Sequence, residues 1–419
     1  MLLSYLKLAW KVLLRRKFFT FISLFGISFT LMILLVLVAA VDHVSGAHAP
    51  EKRLDRMVFV NTLRQYFKDG GTMSTPVSPY FIDTYVRPMK TPEKVALSSV
   101  TSSATAFAGG QSLTLDVRYT DGNFWQVMDF DFLNGRAFTG AEVAQGARVC
   151  VLNEHSALAF FGTTQGVAGR EVEIGPYRYR IAGVVPDVPV IRLYSSADVW
   201  LPYTLGNTDF KDRRYDGEMI AILLASEAGA VPGMRQEFEQ LMKRVPLADP
   251  KRYNRLSSHA DPALASLVRQ LTNQHDKESD GMPLFLTACT VLALLFMLLP
   301  ALNLVNLNVT RIMERSGEIG VRKAFGASRR VLVGQFIVEN LVLALLGGLL
   351  GLGLAAVVLT LLNESQFVAY SHFGLSWRAF GLGLGLTVAF GLMSGVYPAW
   401  KMARLNPVDA LRGSGGGPQ

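Results

Sequence analysis

Four long apolar runs alternate with polar stretches of very unequal length. Phe18 to Val41 contains no charged residue. As a helix that run rises ~36 Å, enough to cross a ~30 Å hydrocarbon core with some tilt. Leu284 to Val309 is uncharged, Val331 to Leu362 carries the single acid Glu339, and Ala379 to Trp400 is again uncharged. The pattern predicts four transmembrane helices at 18–41, 282–309, 331–362 and 379–400. The first run exceeds the ~7–15 residues of a signal-peptide apolar core, and Pro50 would follow a cut after Ala47-His48-Ala49. It is read as an uncleaved span.

Ahead of it, residues 1–17 place Leu2, Leu3, Leu6, Trp10, Leu13 and Leu14 among Lys7 and Lys11. This is the pattern of an amphipathic helix on the membrane surface, or of a helical start to the first span.

The segment 42–281 changes period. Leu113, Leu115, Val117 and Tyr119 alternate along a strand, and Arg148–Leu152 reads as a short buried one. Asn153 caps a helix over Glu154–Phe161 that Gly162 ends. Glu171–Val185 reads as a hairpin around Gly175-Pro176. Met219–Leu224 is a further strand and Gly233–Val245 a helix. At Asp261-Pro262 an acidic cap and a first-turn Pro restart a helix. Its Leu264, Leu267, Val268 and Leu271 share one face, and it is expected to continue toward the second span as a stalk over 261–281. The segment is an α+β domain with a core of its own, expected in two lobes.

Composition refines this picture. Half of the residues are hydrophobic and 18% are charged, below the ~25% of an average chain, which excludes global disorder. The net charge of +8 is explained by its distribution. Residues 1–17, the 310–330 link and the 401–419 tail hold fourteen basic and three acidic residues, whereas 42–281 holds 26 basic and 28 acidic. By the positive-inside rule both termini and the link are cytoplasmic, and 42–281 with the 363–378 loop lies outside. A nucleic-acid patch is not implied. Cys150 and Cys289 lie in the external segment and in the second span, so neither has a disulfide partner there. The six His show no metal-ligand spacing, and His43 and His48 are expected to be solvated. No Walker A loop, His-Glu-x-x-His or Gly-x-Ser-x-Gly occurs; no catalytic residue and no metal site is indicated.

The link is too ordered for a connector. In Glu314-Arg-Ser-Gly-Glu318-Ile319-Gly-Val321-Arg322-Lys323-Ala-Phe325-Gly326 charges alternate with apolar residues. This suits a short amphipathic helix docking on a partner or lying on the membrane. The stretch resembles the signature of MacB/FtsX-like ABC-transporter permeases. Gln335–Glu339 followed by Leu345–Gly351, the tail Tyr397-Pro-Ala-Trp400 through Arg412, the Val149–Val185 region and the Ala9-Trp10 to Lys17 entry are similar to that family as well.

The resemblance implies a permease subunit of the bacterial inner membrane that passes ATP-driven motion to its periplasmic domain, expelling substrate from the periplasm. It implies a dimer with a second copy or a paralogue. It also implies an ABC ATPase on a separate chain, holding ATP and magnesium, with a cytoplasmic coupling helix at 310–330. Glu314, Glu318, Ile319, Val321, Arg322, Lys323 and Phe325 are then its ATPase contacts. A periplasmic adaptor and an outer-membrane duct are further expected partners. The external domain divides into a porter-like lobe (55–120 and 206–260) and an insert (121–205). Alternative functions within the same plan are lipoprotein release and FtsX-type signalling to cell-wall hydrolases.

Several intramembrane residues are candidates on composition. Asn303, Asn306 and Asn308 either bond across helices or end the second span at the interface. Glu339 either snorkels or has a buried partner. Gly347/Gly351, Gly381/Gly385 and Gly391/Gly395 form small-xxx-small pairs that serve either a dimer seam or packing within the chain.

Overall fold

A computed structural model describes residues 14, 17–108, 111–206, 212–274, 279–314, 321, 329–365, 369–371, 373–375, 378, 380–389, 391 and 392. These divide into two compact units. One takes the residues up to Asp42, Leu286–Ser365 and those from Phe373 onward; the other takes His43–Phe285 and Gln366–His372.

The first helix, α1, is Lys17–Ser45. The external unit then opens with three strands, β1 (Met57–Val60), β2 (Leu63–Phe67) and β3 (Thr72–Thr75). Next come β4 (Pro92–Ser99), β5 (Ser102–Ala108), β6 (Gln111–Thr120) and α2 (Gly122–Met128). They are followed by β7 (Asn134–Gly135), α3 (Gly140–Ala144), β8 (Val149–Asn153) and α4 (Glu154–Phe161). The hairpin β9 (Glu171–Ile174) and β10 (Tyr177–Val185) precedes β11 (Val199–Pro202) and β12 (Met219–Ala225). Helix α5 (Val231–Met242), β13 (Tyr253–Ser258) and α6 (Ala263–Leu271) complete the unit.

Ten strands form one sheet in the order β1-β12-β4-β6-β11-β8-β10-β9-β5, with β7 on β10 and β5 returning to β6. The return through β5 rests on seven pairs with β6 and on the single pair Ala106–Ile174 with β9. It closes β6, β11, β8, β10, β9 and β5 around a core of Leu115, Val117, Cys150, Leu152, Ile181 and Val199. The ring crosses the expected boundary at 120/121. Strands β5 and β6, assigned to the porter-like part, build this ring with the insert. Ten-residue β6 is long enough to pair with β5 and also to meet β4 and β11.

Strands β1 and β12 are buried at every position because the sheet is covered on both faces. Phe59, Ile222 and Leu224 pack with Phe124, Trp125 and Trp200. Val58, Val60 and Leu223 pack with Phe81, Met234 and Phe238. Strands β13, β2 and β3 form a second, three-stranded sheet.

Local sequence fixes the short helices. Asn153 accepts the N–H of Ser156, and Gly162 at φ +69° supplies the left-handed stop of α4. Thr139 and Glu142 form a capping box at α3. Arg136 donates to both Glu142 oxygens at 2.9 and 3.0 Å, and this bonding holds the Glu142 carboxyl down at about 2.

Helix α6 departs from expectation at both ends. Asp261 does not cap it, because its carboxylate is taken by two arginines; Pro262 occupies the cap position without a side-chain bond. The helix stops at Leu271, which is 72% exposed. Among the described residues the helix does not continue past Leu271: Asn273 turns left-handed at φ +51° and Gly281 lies at φ +79°. The buried side is Ala265, Ser266, Val268 and Arg269; of the expected face Val268 is buried, Leu264 and Leu267 are half-buried and Leu271 is exposed. His43, expected to be solvated, is buried and stacks on His48 at 5.9 Å.

In the other unit, helices α7 (Met282–Glu314), α8 (Arg329–Glu364) and α9 (Phe380–Ala389) accompany α1. Among the described residues, Thr20–Ser45 and Ile337–Glu364 are long and apolar enough to cross a membrane; Met282–Leu298 and Phe380–Ala389 are shorter apolar helices. Ile27, Leu31 and Leu34 of α1 pack with Met297 and Leu343. Phe21, Phe25 and Phe29 stack along the exposed side of α1, and Leu349, Val357 and Leu361 stand exposed on α8. In water such surfaces would be aggregation sites; a bilayer covers them.

Candidate functional site at the membrane exits of the external domain

Of the chain segments that join the external unit to the apolar helices, one follows α1 and one precedes α7. Both are held by buried charge.

After α1, Glu51 is 2% exposed and its carboxylate is fully engaged. Arg192 Nη1 donates to its Oε2 at 2.8 Å, and the Ser195 hydroxyl to its Oε1 at 2.6 Å. Arg192 Nη2 also donates to the carbonyl of Gly46 at 3.0 Å. Arg192 rides on a tight turn in which the Arg192 N–H bonds Pro189 and those of Ser195 and Ser196 bond Arg192.

That turn is fixed from the core by Arg118 of β6. Its guanidinium is 99% buried and donates to the carbonyls of Ser196, Ser99 and Leu193, and to Thr101 Oγ1. Burial pushes the Arg118 guanidinium down to about 10, yet it remains a cation at neutral pH. Five donors in a rigid fork suit such a pin.

Before α7, Asp261 pairs through its backbone with Phe59 of β1. Its carboxylate accepts from Arg269 Nε at 2.6 Å and from Arg235 Nη2 at 2.8 Å. Arg269 Nη1 reaches on to the carbonyls of Gln274 and Ser279 at 2.9 and 3.0 Å. Arg235 Nη2 also meets Asp280 at 3.3 Å, and Asp280 accepts the N–H of Met282, the first residue of α7. These bonds replace the helical ladder that the sequence pattern predicts here.

The two exits are joined. Tyr194, on the Arg192 turn, donates to Ser266 Oγ of α6 at 2.8 Å, and Asn61 Nδ2 donates to the same oxygen at 2.6 Å. The Tyr194 ring stacks on Phe59 at 3.8 Å. An unbroken polar network thus runs from Gly46 through the turn and α6 to the start of α7.

Nothing in the sequence pattern marks Glu51, Arg192 or Tyr194. Arg118 falls on the alternate positions of β6 that read as a solvent face. Asp261 was visible, in the wrong role.

The expected ATPase contacts fall almost wholly outside the described residues. Of them, Glu314 ends α7, which runs past the expected start of the link, and Val321 is helical and exposed. Glu318, Ile319, Arg322, Lys323 and Phe325 are not among them. Asn303 and Asn306 lie on α7, Asn306 exposed; Glu339 is half-buried on α8 beside the buried Asn340. A Cβ at Gly347 would meet Ile27 at 2.8 Å and one at Gly351 the Ser28 carbonyl at 2.8 Å. This pair packs within the chain. Gly391 abuts Ala344, whereas Gly381 and Gly385 face open space. Gly395 is not among the described residues.

Two family profiles cover most of the sequence. The MacB-like periplasmic core domain matches residues 20–241 and the FtsX-like permease C-terminal domain residues 290–407. The chain belongs to the MacB/FtsX-like ABC-transporter permeases. Among relatives of this permease, a macrolide export ATP-binding/permease protein MacB 2 of Aeromonas hydrophila is 27% identical over 69% of this chain and 42% of its own length. A pyoverdine export ATP-binding/permease protein PvdT of Pseudomonas fluorescens is 25% identical over 98% of this chain and 59% of its own. The chain thus spans about half the length of the curated relatives it matches. The crystal structure of the periplasmic region of MacB from Actinobacillus actinomycetemcomitans aligns over 44% of this chain and 84% of that one, at 16% identity and a TM-score of 0.34.

Proposed function

We propose that this permease is the mechanotransmitting membrane subunit of an export ABC transporter. It spans the bacterial inner membrane four times, with both termini and the 310–330 link in the cytoplasm. Two copies, or a copy and a paralogue, assemble with ATPase subunits, which bind ATP and magnesium. The ATPases engage Glu314, Glu318, Ile319, Val321, Arg322, Lys323 and Phe325, and their closure moves the helices. That motion reaches the external domain, which expels a small-molecule or peptide substrate from the periplasm, with an adaptor and outer-membrane duct as further partners.

The observation that carries this reading is the polar network from Gly46 to Asp280. Buried ion pairs add little net stability over apolar packing, but they fix geometry. Here they lock both membrane exits to one rigid core, as transmission requires and a tethered receptor domain does not. The match of residues 20–241 to a MacB-like periplasmic core domain, with relatives named for macrolide and pyoverdine export, supports export over signalling to hydrolases.

Paired Ile319→Asp and Phe325→Asp changes test the coupling contacts. The expected result is release of the ATPase in pull-downs with membrane insertion intact. Full retention of the ATPase contradicts the reading.

A further inference from the structure

The Arg192 turn has a third neighbour. Ala369, Tyr370 and Ser371, from the loop between α8 and α9, belong to the external unit. The Val190 N–H donates to the carbonyl of Ala369 at 3.3 Å, and the Tyr370 ring lies 5.6 Å from that of His155. The Tyr370 hydroxyl hydrogen-bonds Asn153 and Asp198.

Its receptor is built in advance. Asn153 is fully buried; its amide donates to Asp198 Oδ1 at 3.0 Å while its oxygen caps α4. Asp198 Oδ2 accepts the N–H of Asp116, and Asp187 accepts that of His155, both at 2.9 Å. Burial and the neighbouring carboxylates hold the Tyr370 hydroxyl up at about 12, so it remains a donor at physiological pH. Tyr370 itself sits at φ +60°, a conformation a non-glycine residue keeps when its surroundings fix it.

The base of the loop is closed separately. Asn363 Nδ2 donates to the Phe373 carbonyl at 3.0 Å, and the Phe373 N–H donates to Asn363 Oδ1 at 2.8 Å. The side-chain amide thereby mimics a strand pair across the loop.

Resting on the export-permease reading, we propose that the α8–α9 loop acts as a strap, stapled at its base by Asn363 and Phe373, and that Tyr370 is its positioning residue, docking the described tip 369–371 on the Asn153–Asp198 site. The tip of the strap meets the same turn, residues 189–196, that Arg192 ties to Gly46 and Tyr194 ties to Ser266. All three membrane connections of the external domain then converge on one hub. A loop that merely closes two spans would need neither a stapled base nor a polar receptor for its tip.

The test uses the full chain in lipid nanodiscs, carrying Cys289→Ala with Val190→Cys and Ala369→Cys, oxidised without nucleotide. The pair is expected to form a disulfide readily in this parent. Tyr370→Phe keeps the ring and removes the hydroxyl bonds; it is expected to slow cross-linking about tenfold, the worth of a hydrogen bond to a charged group. Tyr370→Ala is expected to slow it further. Equal rates in all three overturn the strap.

A second arm adds the ATPase with ATP and vanadate. The cross-linking rate is expected to change in the parent and not in Tyr370→Phe. An unchanged parent that still binds its ATPase overturns the role in transmission. Failure of the parent to bind any ATPase would strike the export-permease reading instead, and the nucleotide-free arm decides the strap regardless.

Discussion

Arg192 and Glu51 show how a charge can determine geometry while contributing little net stability. Both side chains are about 98% buried or more, and the pair is bonded further to Gly46 and Ser195. Removing one partner leaves the other charge stranded, which costs about 3–5 kcal/mol; replacing both by packed neutral groups is often nearly neutral. Arg192→Ala is therefore expected to lower the thermal midpoint of the full chain sharply, and Glu51→Gln with Arg192→Met much less. Equal losses in the two would show that packing, not the stranded charge, sets the cost. Asp121 gives a pH prediction. Burial raises its carboxyl to about 6, against the bonds from Arg87 and the Phe124 N–H. The folded state therefore binds the proton more tightly than the unfolded chain. This group's contribution to stability is fully present below about pH 4 and is lost as pH rises through about 6, on the order of 2–3 kcal/mol. Asp121→Asn keeps an oxygen for the α2 cap and removes the titration. It is expected to flatten the stability profile between pH 4 and 6, and an unchanged slope there would contradict the assignment.

At the scale of elements, legibility followed local chemistry. Strand β6, the β9–β10 hairpin and the cap-to-stop definition of α4 could be read because alternation, Gly175-Pro176, Asn153 and Gly162 are signals contained in the segment itself. The closure of β5 onto β6 and β9 could not, because pairing between strands leaves no mark on either one. Helix α6 was legible over Ala263–Leu271, but its end was not, for a related reason. Its leucine spacing is helical, but Arg269 satisfies the carbonyls of Gln274 and Ser279 from outside the ladder. The glycines of α8 separate what spacing alone left open. Gly351→Leu is expected to disrupt the α1–α8 contact, because even a Cβ would stand 2.8 Å from the Ser28 carbonyl; overpacking of this kind costs typically ~1–3 kcal/mol or more. Gly381→Leu faces open space and is expected to leave the single chain intact. If it abolishes self-association in detergent while Gly351→Leu does not, the Gly381/Gly385 face is the dimer seam.

For the whole molecule, charge placement carries the orientation. Ser112→Cys and Ser316→Cys, probed in intact cells with a membrane-impermeant thiol reagent, are expected to label at 112 only. Labelling at 316 would invert the topology and put the coupling contacts on the wrong side for an ATPase. The family could be read from the 314–330 signature, since that motif is contiguous in sequence. The hub could not, because Gly46, Arg118, Arg192, Ser266 and Asp280 meet only in the folded domain. The account's central claim is that motion originating at the ATPase arrives at this hub. Its most direct test is amide hydrogen exchange of the assembled transporter over residues 46–51, 189–196 and 261–281, with and without ATP and vanadate. The account predicts a nucleotide-dependent change in protection at these segments, lost when Ile319→Asp and Phe325→Asp uncouple the link. Protection that is indifferent to nucleotide in the intact complex, or a response that survives the uncoupling pair, would contradict it.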